Sequence, residues 1–172
     1  FLTALVVPGT NGQLMFAGGY QLIVSRDGGV TWNLTNASTQ LVHTIQALAD
    51  GTIIVLDSDK GIISKDNGET WQNFQMPGSF TSAGYFTSEM NGWVVYGGFD
   101  NNQVWVTTDG GETWALRDPL KHPVVSEVFM KDNLNGYLAS RDYVYSTSDG
   151  GNTWIKMHDN PVNSILDMHV VN

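Results

Sequence analysis

The stretch TTDGGETW, residues 107–114, occurs three more times with small changes: SRDGGVTW at 25–32, SKDNGETW at 64–71 and TSDGGNTW at 147–154. The shared pattern is [ST]-x-D-x-G-x-T-W. Its aspartates, Asp27, Asp66, Asp109 and Asp149, recur at spacings of 39, 43 and 40 residues. Four matches at near-constant spacing define an internal repeat, and the period is that of a small supersecondary unit that cannot bury a face alone.

Working outward, the flanks show what each repeat contains. Around the second copy, Thr44–Leu48 is followed by a turn at Ala49–Gly51, then Thr52–Leu56, a turn at Asp57–Lys60, Gly61–Ser64, the box, and Thr70–Met76. Around the third, the runs are Ala83–Ser88, Gly92–Gly97, Gln103–Thr107 and Thr113–Arg117. These are short β-rich runs between Gly, Asp and Asn turns, without a helical period. Helical solenoids lack this pattern and β-helices have shorter repeats. Four strands per repeat of about 40 residues predict an all-β chain, a β-propeller of four-stranded antiparallel blades. The blades are expected at about 1–36, 37–76, 77–118 and 119–158. Residues 159–172, with Ser164–Val171 as first strand, restart the pattern for a fifth.

The box residues suit a tight turn between third and fourth strands. Gly29, Gly68, Gly111 and Gly151 are placed where φ must be positive. The four aspartates can accept backbone N–H bonds, and Ser25, Ser64, Thr107 and Thr147 can close a second local bond. Trp32, Trp71, Trp114 and Trp154 cover the hairpin with apolar surface. The expectation is a structural role for all sixteen.

Composition narrows the function. Acids outnumber bases by 17 to 8, a net charge of -9, which argues against a nucleic-acid backbone or an anionic membrane surface as partner. No uncharged apolar run approaches the length of a spanning helix, and no signal-peptide pattern opens the chain. The absence of cysteine excludes disulfides, Cys-zinc sites, iron–sulfur clusters and a Cys nucleophile.

At the repeated boxes, and in the phrases NGWVVYGGFDNNQVWVTTDGGETW (91–114) and NGYLASRDYVYSTSDGGNTW (135–154), the chain resembles the Asp-box (BNR) repeat proteins. These include sialidases, xyloglucan-type endoglucanases, sortilin-like receptors and the photosystem II assembly factors. The phrasing is nearest that of the assembly factors and of bacterial or phage BNR repeats. The resemblance implies a sialidase-like propeller fold with the boxes on the face opposite the usual active site. Such propellers usually close with six or more blades, so a longer assembly, completed by blades of the same chain or another subunit, is expected.

The resemblance also frames the chemistry. A sialidase of this family would need three arginines gripping a carboxylate, and the chain has only Arg26, Arg117 and Arg141, the first inside a box. A glycosidase of the endoglucanase type needs two carboxylates across a cleft. Asp57 and Asp100 read as equivalent positions in adjacent blades that could flank one, although solvated turn acids are the simpler account. The segment Asp57–Gly61 lacks the downstream Glu of a calcium loop, and the four histidines lack zinc spacing, so no metal or cofactor site is expected.

The expected function is a non-catalytic binding or scaffold module, with a polysaccharide-degrading glycoside hydrolase fragment as alternative and an assembly factor for a membrane complex as a second. The binding face is expected on the loops joining strands two to three and four to one, which vary among repeats while the boxes do not. Its candidates are Tyr20, Asp57, Asp59, Phe99, Asp100, Asn101, Asn102, Arg141 and Asp142. Their net acidity suits a protein partner or a neutral glycan, not a nucleic acid. Membrane insertion is not expected. The composition suits an extracellular, periplasmic or virion-surface setting.

Overall fold

The computed structural model describes residues 3–79, 81–97, 102–117, 125–140 and 143–157. The expected strand Ser164–Val171 and the candidates Phe99, Asp100, Asn101, Arg141 and Asp142 lie outside them. The chain divides into two compact units, Phe1–Ser79 and Phe80–Asn172. Each holds two four-stranded antiparallel sheets, and no helix occurs among the described residues.

In unit 1, β1 (Thr3–Val6), β2 (Met15–Gly18), β3 (Leu22–Ser25) and β4 (Asn33–Leu34) form the first sheet in sequence order. The second contains β5 (Val42–Ala47), β6 (Ile53–Asp57), β7 (Gly61–Ser64) and β8 (Gln72–Phe74). In unit 2, β9 (Thr81–Phe86), β10 (Gly92–Tyr96), β11 (Gln103–Thr107) and β12 (Ala115–Leu116) form the third. The fourth is β13 (Val125–Met130), β14 (Gly136–Ser140), β15 (Val144–Thr147) and β16 (Ile155–Lys156). Every connection is a meander between neighbours, so each box joins the third strand of its sheet to the fourth.

The registers coincide. Met15, Ile53, Gly92 and Gly136, in the second strands, each pair with the first box residue of their own sheet: Ser25, Ser64, Thr107 and Thr147. The second strands are the most buried. All five residues of β6 and of β10 are buried, because these strands are covered on both faces. A continuous apolar run such as Ile53-Ile54-Val55-Leu56 is the expected composition there, where alternation would place polar groups in a core.

Each unit has its own core. In unit 1 it gathers Phe16, Leu22, Val42, Ile53, Val55 and Ile62, with Trp71 packed against it. In unit 2 it gathers Trp93, Val95, Val104, Val128, Leu138 and Trp154. The fourth strands are shorter than the sequence suggests. Thr70 and Thr113 belong to the turn, because each gives both its N–H and its hydroxyl to the box aspartate. Extended pairing resumes only after the box tryptophan, at Gln72 and Ala115.

Candidate functional site

The boxes form one side of each blade. Ser25 Oγ donates to Asp27 Oδ1 at 2.7 Å and accepts the Gly29 N–H at 2.8 Å. Asp27 then accepts the Thr31 N–H at 2.9 Å and the Thr31 hydroxyl at 2.5 Å. The same four bonds recur around Asp66, Asp109 and Asp149. The fifth-position glycines Gly29, Gly68, Gly111 and Gly151 all have positive φ, as does Asn67 at a fourth position, with φ 59°. The threonine hydroxyl, then the threonine N–H, holds the carboxyls of Asp27, Asp66 and Asp109 down to about 2, and Asp149 is lowered by the same partners. At neutral pH these carboxylates are ionised acceptors inside a turn. The turn is also tied to its own blade, since Gly28, Gly110 and Gly150 donate their N–H to Gln13, Met90 and Leu134 of the turn between first and second strands.

The opposite side carries the turns between second and third strands. In unit 1, Tyr20 is 80% exposed at the tip of the first of these. Its turn is tied to the segment entering β5: Gly19 O accepts the Val42 N–H at 2.8 Å, and Tyr20 O accepts the Thr39 hydroxyl at 3.5 Å. Asp57 ends β6 and is buried, so it is not the exposed ligand contact that its turn position suggested. Its carboxylate accepts the N–H of Gln40 (2.7 Å), Leu41 (2.6 Å) and Ser58 (2.8 Å) and clamps the loop entering β5. Asp59 is exposed and accepts from Gln40 Nε2 at 3.2 Å. Sequence reasoning missed His43, whose Nε2 lies 3.2 Å from Ser58 Oγ. Burial pushes its imidazole below the usual value, against the pull of the Asp57 charge.

In unit 2, Asp100, the expected equivalent of Asp57, lies outside the described residues. Ile53 and Gly92 hold the same register, so the residue matching Asp57 is Tyr96, the last of β10. Asn102 is buried. Tyr145, buried, and Trp105, half-buried with its Nε1 on Gln103 Oε1 at 3.2 Å, are packing residues. Among the described residues no group of three His, Asp or Glu side chains could hold a metal ion.

A shallow groove of about 380 Å³ lies between the blades of unit 1, floored by Val24 and Leu34. Its wall is a cross-blade pair that sequence reasoning did not anticipate. Arg26 Nη2 meets Glu69 Oε1 at 2.8 Å and donates to Asn67 O at 3.0 Å, while Asn36 Nδ2 donates to Glu69 O at 2.9 Å. Arg26 therefore joins blades. Both side chains are exposed, so the ion pair itself contributes at most about 1 kcal/mol.

Four-stranded meander sheets of matching register, with no helix among the described residues, define a β-propeller protein. The Sortilin-Vps10 family (sortilin, neurotensin receptor 3) matches residues 20–119, more than half of the sequence, and the chain belongs to that family. No curated protein matches the chain in sequence. Among solved structures it is similar to an ancestral GH74 enzyme, with TM-score 0.68 and 16% identity over 92% of this chain and 24% of that one. It is similar to YCF48 bound to a D1 peptide, with TM-score 0.63 and 16% identity over 85% and 50%. It is also similar to the extracellular domain of the one-component system protein BT4673 from B. thetaiotaomicron, with TM-score 0.65 and 11% identity over 90% and 23%. The chain thus spans half or less of each of these structures. At these identities the likeness is one of fold.

Proposed function

We propose that the chain is a non-catalytic binding module of Asp-box type whose ligand is a protein segment, engaged by the turns opposite the boxes. The observation that carries this reading is Tyr20: a largely exposed aromatic ring on a turn anchored by Gly19 O and Tyr20 O. An aromatic group presented on a rigid backbone loses little entropy on binding, which is how interface hot spots are built. Asp59 and Gln40 lie in the same loop region of unit 1, and their acidic and amide groups suit a basic or neutral segment. The peptide held by YCF48 supports a peptide as the ligand class.

The carboxylates support binding over hydrolysis. Asp57 is taken up by three backbone N–H groups, and the box aspartates are held below the usual carboxylate range, so those four cannot deliver a proton near neutral pH. The second reading, a segment of a glycoside hydrolase with a neutral glycan as ligand, is favoured by the GH74 likeness. An extracellular, periplasmic or virion-surface setting accords with the BT4673 extracellular domain. Two arrays test the reading, one of immobilised peptides and one of neutral oligosaccharides. Binding to peptides, weakened about tenfold or more by Tyr20→Ala and unchanged by Arg26→Ala, is the expected result. Binding to glycans alone would favour the hydrolase reading, and Tyr20→Ala without effect would sink the assigned face.

A further inference from the structure

The acidic side chains of unit 1 are Asp27, Asp50, Asp57, Asp59, Asp66 and Glu69, and all but one are committed to groups of the fold. Asp27 and Asp66 hold their boxes. Asp50 accepts the Thr52 N–H at 2.9 Å, Asp57 takes the amides of Gln40, Leu41 and Ser58, and Glu69 takes the Arg26 guanidinium. Asp59 is the exception. It is exposed, and among the described residues its carboxylate meets one donor, the neutral amide of Gln40, at 3.2 Å. The ion pair described in unit 1 is Arg26–Glu69, so the neighbouring Lys60 does not neutralise Asp59. His43, set against Ser58, is held toward its neutral form by burial and adds no charge at neutral pH.

The segment that pins Asp59 also pins Tyr20. Thr39 gives its hydroxyl to Tyr20 O, and Gln40, the next residue, gives its side-chain amide to Asp59. The main chain of this segment is itself fixed, because Gln40 and Leu41 donate their N–H groups to Asp57 at 2.7 and 2.6 Å. Turns of two blades are thus joined through consecutive residues, whose Cα atoms are about 3.8 Å apart. The result is an exposed aromatic ring and an uncompensated carboxylate carried by one splint.

That pair of groups matches one side chain better than any other. A guanidinium is planar and weakly hydrated, so it stacks on a tyrosine face at little cost in solvation. Its fork also gives two parallel N–H bonds to a carboxylate. An ammonium carries the same charge without the plane or the fork.

We propose that this face of unit 1 selects an arginine in the bound segment, its guanidinium stacked on the Tyr20 ring and donating to Asp59. Gln40 is then a positioning residue that holds the carboxylate in place. The proposal rests on the peptide-binding reading above and adds the residue that is recognised.

Short peptide pools, randomised except at one fixed central position, test this when immobilised and probed with the whole chain. The fixed residue is arginine, lysine or citrulline, the last keeping the planar shape without the charge. The arginine pool should bind about tenfold more tightly than the citrulline pool, with lysine between them. This advantage should shrink as salt rises from about 0.05 M to about 0.5 M. Asp59→Asn should abolish it while leaving citrulline binding and the β circular dichroism unchanged, since an asparagine oxygen still accepts from Gln40. Gln40→Ala should reduce the advantage by about threefold, through a less ordered carboxylate, and Asp59→Glu should retain part of it. Equal binding of the arginine and citrulline pools, or an advantage that survives Asp59→Asn, would overturn the proposal. In either case the peptide reading stands if Tyr20→Ala still weakens binding. Binding of no pool at all would overturn both.

Discussion

The two units satisfy the same turn in different ways. In each, the fourth box position of the following blade turns its carbonyl toward the leading blade. In unit 1 that carbonyl, Asn67 O, is met by the exposed Arg26 guanidinium, while the apolar contact is made separately by Phe16, 6.0 Å from Trp71 in an edge-on arrangement at 89°. In unit 2 a single side chain does both. The Trp93 ring is the buried packing group and its Nε1–H is the donor to Gly150 O. The box dictates a requirement, one ring and one donor, and leaves the leading blade free to meet it with two residues or one. Divergence between repeats is thereby tolerated at the contact while the box itself stays fixed.

The largest expected effect separates these two functions. Trp93→Ala should cost about 3–5 kcal/mol, since it removes a buried ring and orphans a carbonyl. Trp93→Phe should cost only about 1–2 kcal/mol, the share of the hydrogen bond and of the lost volume. In that background Thr108→Arg, at the position equivalent to Arg26, should recover part of the loss by imitating unit 1. Urea denaturation reads all three. A Phe variant as damaged as the Ala variant would mean that the hydrogen bond dominates the contact.

A smaller effect isolates the ring from the backbone. Gly29→Ala and Gly68→Ala carry the same strain of positive φ, about 1 kcal/mol. Only Gly68→Ala also drives a methyl group into Phe16, so it should cost about 2–4 kcal/mol in all. Equal losses of melting temperature would show that Phe16 yields without penalty.

The smallest effect is common to both units. Asp27, Asp66 and Asp109 ionise in the fold at about 2, against an ordinary 3.8, and Asp149 is lowered too. The ionised form is the one the fold favours, so the stabilisation is fully present above the ordinary value and is lost as pH falls from there toward about 2. Thermal denaturation followed down this range should show a steepening loss of stability. Asp66→Asn should lower stability at neutral pH and make the acid limb shallower. An acid limb unchanged in Asp66→Asn would assign the loss to other carboxylates.

The sequence is explicit where a residue type serves a local backbone need. Positive φ, a carboxylate reachable from four residues on and a hydroxyl two residues back are all fixed within eight positions, so the turn and its hydrogen bonds could be read directly. Strand order followed from the repeat. The binding face was legible only in part, because an aspartate in a turn has two uses with the same local pattern. Asp57 turned inward to three amides from a loop 16 and 17 residues away and from its neighbour Ser58, whereas Asp59 faces water. Nothing in the string Asp57-Ser58-Asp59 distinguishes them. Arg26 was hidden for a similar reason: its partners Asn67 and Glu69 lie in the next box, 41 and 43 residues on.

The brevity of the outer strands has a consequence in time. Strands β4, β12 and β16 have two residues each and β8 has three, and nearly all of these residues are exposed. The second strands are paired along both edges and buried. Local opening follows the free energy of the contacts that must be broken. In deuterated water the amides of the fourth strands should therefore exchange first, the box N–H groups held by aspartate and hydroxyl later, and those of β6 and β10 last. Each blade would carry a graded clock, in which a lagging fourth strand reports that some partner has covered it.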